Sequence, residues 1–221
     1  MLSRLESDDL GSSYASCHRT QSFPVMPQPY DLGMRVSVRS HVRLAFPGVS
    51  IFPYPPSSFE GLAARWVQWV AATGPFRNPV MDTTGRYAHR RQPSDVWFLG
   101  GSFGGSVQRH CAVPAGRPLF FPAFNMWCPH GTYIPPMPGA KGQAFFDGQP
   151  LPVVTVDASE LFEVRGAFGN PVTRSRRPVQ MRVWGIWARV NPPSPGEHQV
   201  EFSGTDGHQF HVSARYHITV G

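Results

Sequence analysis

From Asp95 to His130 the chain reads DVWFLGGSFGGSVQRHCAVPAGRPLFFPAFNMWCPH. Three runs rich in Val, Phe, Trp and Leu are broken by Gly-Gly and Pro-Ala-Gly, and each run is too short for a helix. Punctuation of this kind is that of consecutive antiparallel strands. It constrains the fold class more than any other stretch of the sequence.

The rest of the chain extends the pattern. Runs near 95–103, 106–113, 117–124, 143–147, 151–156, 160–168, 180–190, 197–203 and 208–220 read as strands, and Asp147-Gly148 and Asp206-Gly207 are hairpin-type dipeptides. Met181 to Val190 (MRVWGIWARV) is apolar on both faces apart from its arginines, as a central strand would be. Ahead of these, Ser57 and Glu60 have capping-box spacing. The helix they open runs to about Thr73, places Leu62, Trp66, Trp69 and Val70 on one stripe, and stops at Gly74-Pro75. The expected fold is mainly β: a two-sheet antiparallel sandwich with one N-terminal amphipathic helix, a jelly roll being the alternative.

Residues 57–221 make up that sandwich domain, and residues 1–56 form an extended arm. Within the arm, RVSVRSHVRLAF alternates strictly enough to predict a half-buried strand over 35–46. Val36, Val38, Val42, Leu44 and Phe46 share one face, with Arg35, Arg39 and Arg43 on the other. A stiff linker, PGVSIFPYPP from Pro47 to Pro56, joins it to the domain.

At 221 residues, 41% of them hydrophobic, the chain can bury one good core with an extension left over. The net charge of +6 is almost all arginine, since Lys141 is the only lysine. Arginine pairs with carboxylates and phosphates in planar, bidentate fashion, so an anionic ligand fits the composition. The arginines are scattered, however, which argues against a nucleic-acid footprint. No apolar run approaches the ~20 residues that span a bilayer. MLSRLESDDL at the start carries three acids and no apolar core, so a signal peptide is not expected there.

Several motifs occur together in order: WVQWV in the helix, NPVMDTTG (Asn78 to Gly85), VWFLGGSFGG, CAVPAGRPLFFP, and a closing FHVSARYHITV. In this the chain resembles a family of mostly exported, uncharacterised bacterial proteins that carry a Trp-rich helix followed by a β domain. The resemblance covers about residues 57 to 221. It implies an oxidising compartment and a Cys111–Cys128 disulfide, but no activity. The chain departs from the family pattern in its extension over 1–56 and in Ala88, where a cysteine often stands.

Candidate chemistry is sparse. Gly100 to Gly104 fits G-x-S-x-G around Ser102, but Ser106 to Pro114 reads as a strand, so the helix a nucleophile elbow needs is missing. Asp157 and His211 follow in triad order without a fold that would join them. His110, Cys111, Cys128 and His130 are metal-ligand types, but neighbours such as His110 and Cys111 point to opposite faces of a strand. Cys111 shares its face with Val107 and Val113, as a core thiol or disulfide would. The last strand carries His211, Ser213, Arg215 and His217 on a polar face.

Asn78, Asp82, Thr84 and Asn125 belong to the motifs that carry the resemblance, and they suit either turn-making or a small polar pocket beside Trp66 and Trp69. Arg86, Arg90 and Arg91, with Arg174, Arg176 and Arg177, are the candidate anion sites. No catalytic residue, metal or cofactor is expected. The leading expectation is a non-enzymatic structural or interaction protein that self-associates or binds a protein partner through the 35–46 strand. Its rival is a ligand-binding or hydrolytic sandwich with a site at the helix–sheet junction.

Overall fold

Pro55 begins a turn that decides where the helix starts. The Ser58 amide donates to the Pro55 carbonyl at 3.0 Å, which consumes Ser57 in the turn and leaves Ser58, with extended backbone, as the N-cap. Its hydroxyl accepts from the Gly61 amide at 3.0 Å. The expected Ser57–Glu60 box is therefore displaced by one residue, and Glu60 stands in the first turn, where a negative charge favours the helix N-terminus. The helix, α1, spans Phe59–Ala71, and a short 3-10 turn follows over Pro75–Arg77. These elements belong to a computed structural model that describes residues 52–221.

Nine strands follow: β1 (Trp97–Phe98), β2 (Gly105–Val113), β3 (Leu119–Pro129), β4 (Lys141–Phe146), β5 (Gln149–Pro150), β6 (Val153–Val164), β7 (Val179–Val190), β8 (Gly196–Thr205) and β9 (His211–Val220). They form two sheets that pack face to face, ordered β1-β3-β7-β6 and β2-β9-β8-β4-β5, and neither closes into a barrel. The mainly β sandwich with one helix is thus the fold observed. Most ladders are antiparallel, but β1 pairs with β3 in parallel, and β2 pairs with β9 in parallel. Consecutive strands of the 95–130 stretch therefore alternate between sheets instead of pairing in order.

α1 lies on the outer face of the four-stranded sheet, giving three layers and two cores. Leu62, Trp66 and Val70 of the helix pack with Phe98, Phe120, Phe162, Met181, Val183 and Trp187. Between the sheets, Leu119, Phe121, Ala188 and Val190 meet Val200, Phe202, Ala214, Tyr216 and Ile218. β7 is central, flanked by β3 and β6, and contributes to both cores; this is why its sequence is apolar on both faces.

Two irregularities separate the observed strands from the expected ones. Runs 151–156 and 160–168 fuse into β6, whose register against β7 shifts between Ala158 and Phe162. A second register shift interrupts β3 between Pro122 and Phe124. Asp147 and Gly148 make the expected two-residue hairpin, both with positive φ (49° and 77°). Asp206-Gly207 instead opens a five-residue loop in which the Asp206 carboxylate accepts from the His208 amide at 2.8 Å and the Phe210 amide at 3.2 Å.

Candidate functional site

The NPVMDTTG segment spends its polar side chains on backbone. Asn78, almost fully buried, donates to the Val70 carbonyl at 2.7 Å and the Thr73 carbonyl at 2.9 Å, and accepts from the Val80 amide at 3.1 Å. These are carbonyls that the end of a helix leaves unsatisfied. Asp82 accepts from the amide (2.9 Å) and hydroxyl (2.8 Å) of Thr84 and from the Tyr87 amide at 2.7 Å. Burial would raise its pKa, but these hydrogen bonds and the nearby Arg109 outweigh burial and hold the carboxyl below the usual range. The loop they shape lies along the outer edge of β2, where the His110 amide donates to the Thr84 carbonyl at 2.9 Å. At Gly85 (φ +89°) a Cβ would stand 2.4 Å from the His110 carbonyl oxygen, so only glycine fits.

Beneath this loop is a buried guanidinium. Arg109 of β2 is 0% exposed and donates to the carbonyls of Val80 (2.8 Å), Asp82 (2.6 Å), Gly100 and Gly101 (2.9 Å), and to the Tyr216 hydroxyl (2.7 Å). All three nitrogens are engaged: Nε and Nη2 each reach one carbonyl, and the two N–H groups of Nη1 are shared among three oxygens. One side chain thus ties the 78–87 loop, the 99–104 loop and β9 together. Sequence reasoning missed it, although parity places Arg109 on the same face as Val107, Cys111 and Val113. A charge in an apolar row was the available signal.

Of the six candidate ligand-binding residues, two reach a common cavity. Trp66 and Asn125 line it with Ser102, Phe103, Trp127 and Phe210. Its volume of about 20 Å³ suits a single water. The Asn125 amide nitrogen is buried there without an acceptor. Trp69 does not take part: its indole donates to the Arg90 carbonyl at 2.8 Å, and that of Trp66 donates to the Leu99 carbonyl at 2.9 Å. Both tryptophans also pack in the aromatic cluster with Trp127, Trp187 and Phe98.

Ser102 belongs to the loop that carries the chain from β1 into the other sheet, and its hydroxyl donates to the Gly105 carbonyl at 3.0 Å. β2 follows directly, so no helix begins after the serine. Asp157 lies on β6 of the four-stranded sheet and His211 on β9 of the five-stranded one, so the triad order does not become a triad.

The implied Cys111–Cys128 bridge is corrected: both stand as free thiols. Cys111 packs against the core between the sheets, a cluster that takes in Leu119 at the start of β3, whereas Cys128 lies near that strand's far end, opposite Arg182. Nine residues of extended chain, roughly 30 Å, separate Leu119 from Cys128. Burial pushes the Cys111 thiol up to about 12. His110 and His217 stack on the outer face of the five-stranded sheet, ring centroids 4.8 Å apart, while His130 stands exposed after β3. Among the described residues no three His, Cys, Asp or Glu side chains come together as a metal-holding group. No helix among them is long and apolar enough to cross a membrane.

No family model, curated protein or solved structure matches the chain. The strand residues Arg35, Val36, Val38, Arg39, Val42, Arg43, Leu44 and Phe46 lie outside the described residues. Of the arginine groups, Arg174, Arg176 and Arg177 are exposed in the β6–β7 connection, and Arg86 and Arg91 are exposed ahead of β1.

Proposed function

We propose that the protein is a non-catalytic interaction module whose N-terminal arm supplies a strand to a sheet edge, its own or that of a second copy. The observation that carries this reading is that the residues just ahead of α1 lie along β6. Phe52 lies beside Gln68, Glu163 and Arg165, and the Tyr54 hydroxyl donates to the Glu160 carbonyl at 3.0 Å. Both positions flank β6, which is an edge strand among the described residues.

The two halves of that edge differ. Glu160 and Glu163 already accept from Tyr54 and Gln68. Val153 to Ala158 (VVTVDA) is rich in β-branched residues, and Val154 is 40% exposed. An edge of this composition is a template for strand addition. Charge supports the pairing. β6 carries Asp157, Glu160 and Glu163, and the carboxylates of Glu160 and Asp157 add to burial in pushing the Tyr54 hydroxyl up to about 12. The arm segment offers Arg35, Arg39 and Arg43. Kinship with exported bacterial β proteins remains part of the same proposal, resting on the ordered motifs over 57–221.

Deleting residues 1–50 tests it by light scattering and thermal unfolding. Exchange between copies predicts that a full-length oligomer becomes monomeric; pairing within one chain predicts a monomer that loses stability and solubility. A full-length monomer that is unchanged in size, stability and solubility after the deletion would refute the proposal.

A second reading, a small-ligand or hydrolytic site at the helix–sheet junction, has in its favour the buried Asn125 amide beside Trp66 and Ser102, but it requires that the water-sized cavity there open to admit a ligand. Labelling by a fluorophosphonate that disappears in Ser102→Ala would establish it.

A further inference from the structure

Two loops meet beyond the C-terminal end of α1, and each holds a phenylalanine in solvent. Phe76, in the 3-10 turn, is 93% exposed, and Phe168, between β6 and β7, is 73% exposed. The loops touch through backbone. The Ala167 amide donates to the Ala71 carbonyl at 2.9 Å, and a Cβ on Gly74 would stand 3.2 Å from the Phe168 carbonyl oxygen.

A buried asparagine fixes each loop. Asn78 anchors the first, as described above. Asn170, 0% exposed, anchors the second: it donates to Ala167 (2.8 Å) and Ser175 (3.1 Å) carbonyls and the Thr173 hydroxyl (2.8 Å), and accepts from the Val172 (3.0 Å) and Thr173 (2.8 Å) amides. Such full satisfaction holds a surface loop in one shape, so the exposed rings are displayed on an ordered support.

The two loops themselves carry charge of one sign. Residues 165–178 (RGAFGNPVTRSRRP) carry four arginines and no acid, and 72–81 (ATGPFRNPVM) adds Arg77. All five are exposed. Arg165 pairs with Glu163, and the guanidinium of Arg176 lies over the Phe168 ring at 5.8 Å. Arg77, Arg174, Arg176 and Arg177 form no ion pair among the described residues.

We propose that this tip engages an anionic lipid surface, with Phe76 and Phe168 entering the interface and the arginines meeting the headgroups. Exposed aromatic rings on two ordered loops that touch mark a contact surface. Both rings stand mostly clear of the rest of the protein. A protein partner would have to supply a matching hollow, whereas a bilayer asks only for apolar depth and opposite charge. The inference does not rest on the arm proposal: it is carried by Phe76, Phe168 and the unpaired arginines and uses none of residues 1–51.

The test is co-sedimentation of the full chain with vesicles of phosphatidylcholine alone and of phosphatidylcholine mixed with phosphatidylserine. Wild type is expected to bind the mixed vesicles, to ignore the neutral ones and to dissociate as salt rises. Phe76→Ser with Phe168→Ser should weaken binding at least about tenfold. Arg174→Gln, Arg176→Gln and Arg177→Gln should each weaken it roughly fivefold. Thermal unfolding should be unchanged in all of them, since every replaced side chain is in solvent. Failure of the full chain to sediment with anionic vesicles would overturn the proposal. So would a double phenylalanine variant that binds like wild type, since binding would then belong to another basic part of the chain.

Discussion

The Tyr216 hydroxyl and the Arg109 guanidinium hold one another at 2.7 Å in the interior, and both also reach the Gly100 carbonyl. Tyr216 additionally accepts from the Gly100 amide at 3.0 Å. The guanidinium carbon lies 5.4 Å from the tyrosine ring centroid, so a cation–π contact reinforces the hydrogen bond. Tyr216 is fully buried, and that burial raises its pKa. Neither group has an alternative partner in water.

Arg109→Met should therefore destabilise the protein by about 3 kcal/mol or more, because four carbonyls and a hydroxyl each lose a donor at once. Of these, the Gly100 carbonyl and the Tyr216 hydroxyl keep a bond to one another's residue. Tyr216→Phe should cost about 1–2 kcal/mol. Arg109→Lys should fall between wild type and Arg109→Met, since an ammonium has three donors for five acceptors. Denaturant unfolding of the two single variants and the double variant gives the coupling between them, expected to be well above zero.

Gly185 of β7 marks a second tight place. A Cβ there would stand 2.6 Å from the Phe124 carbonyl oxygen, 2.7 Å from Asn125 Cβ and 2.8 Å from Trp187 Nε1. The first of these is backbone next to the irregular point in β3 and cannot rotate away. Gly185→Ala should cost about 1–3 kcal/mol, read as a lowered denaturation midpoint. Gly101→Ala, where a Cβ would meet nothing, is the matched control.

The hairpin after β4 gives a pH signature. His198 Nδ1 lies 2.7 Å from the Asp147 carboxylate, whose other oxygen accepts from the Gln199 amide at 2.7 Å. The hydrogen bond to Asp147, followed by one to the Ser194 carbonyl, raises the His198 pKa. Burial opposes ionisation of Asp147, but the Gln199 amide and His198 outweigh it and lower its pKa. A raised histidine contributes all its stability below its unfolded value and loses it as pH climbs through the folded one. A lowered carboxyl contributes above its unfolded value and loses that as pH falls through the folded one. The pair is thus most stabilising between the ordinary values of 3.8 and 6.5. Because Asp147 is 43% exposed, solvent screening keeps the effect small. Asp147→Asn tolerates the positive φ and should bring the His198 titration, followed by NMR, down towards 6.5.

The thiols supply a chemical check. Cys128 is 0% exposed and Cys111 is raised by burial, so both should alkylate slowly in the native protein and fully after denaturation without reductant. A peptide linking Cys111 to Cys128 in non-reduced mass spectra would contradict their separation on opposite sheets.

Local periodicity carried most of what was legible in advance. The 3.6-residue stripe of Leu62, Trp66 and Val70 marked α1, and the alternation of Val212, Ala214, Tyr216 and Ile218 marked β9. The left-handed demand at Asp147-Gly148 marked its hairpin. Legibility stopped where pairing is non-local or a strand breaks its own period. The extra residues between Ala158 and Phe162 put Glu160 and Leu161 out of phase, so β6 reads as two strands. Nothing near Gly105 announces that its neighbour is Val212. Asn78 and Asp82 were legible as turn formers, but Arg109 and Asn170 were not, because their partners are backbone oxygens that no side-chain motif records.

The parallel ladder between β2 and β9 has a consequence for biosynthesis. Arg109 and its partner Tyr216 are separated by 107 positions along the chain. A ribosome has to translate past Val220 before the five-stranded sheet can form in full, and until then the Arg109 guanidinium has no tyrosine to meet. Until β9 is made, the inward face of β2, with Val107, Cys111 and Val113, lacks its neighbour in the sheet. A chaperone able to shield that face until synthesis is complete would be expected to raise the yield of folded molecules.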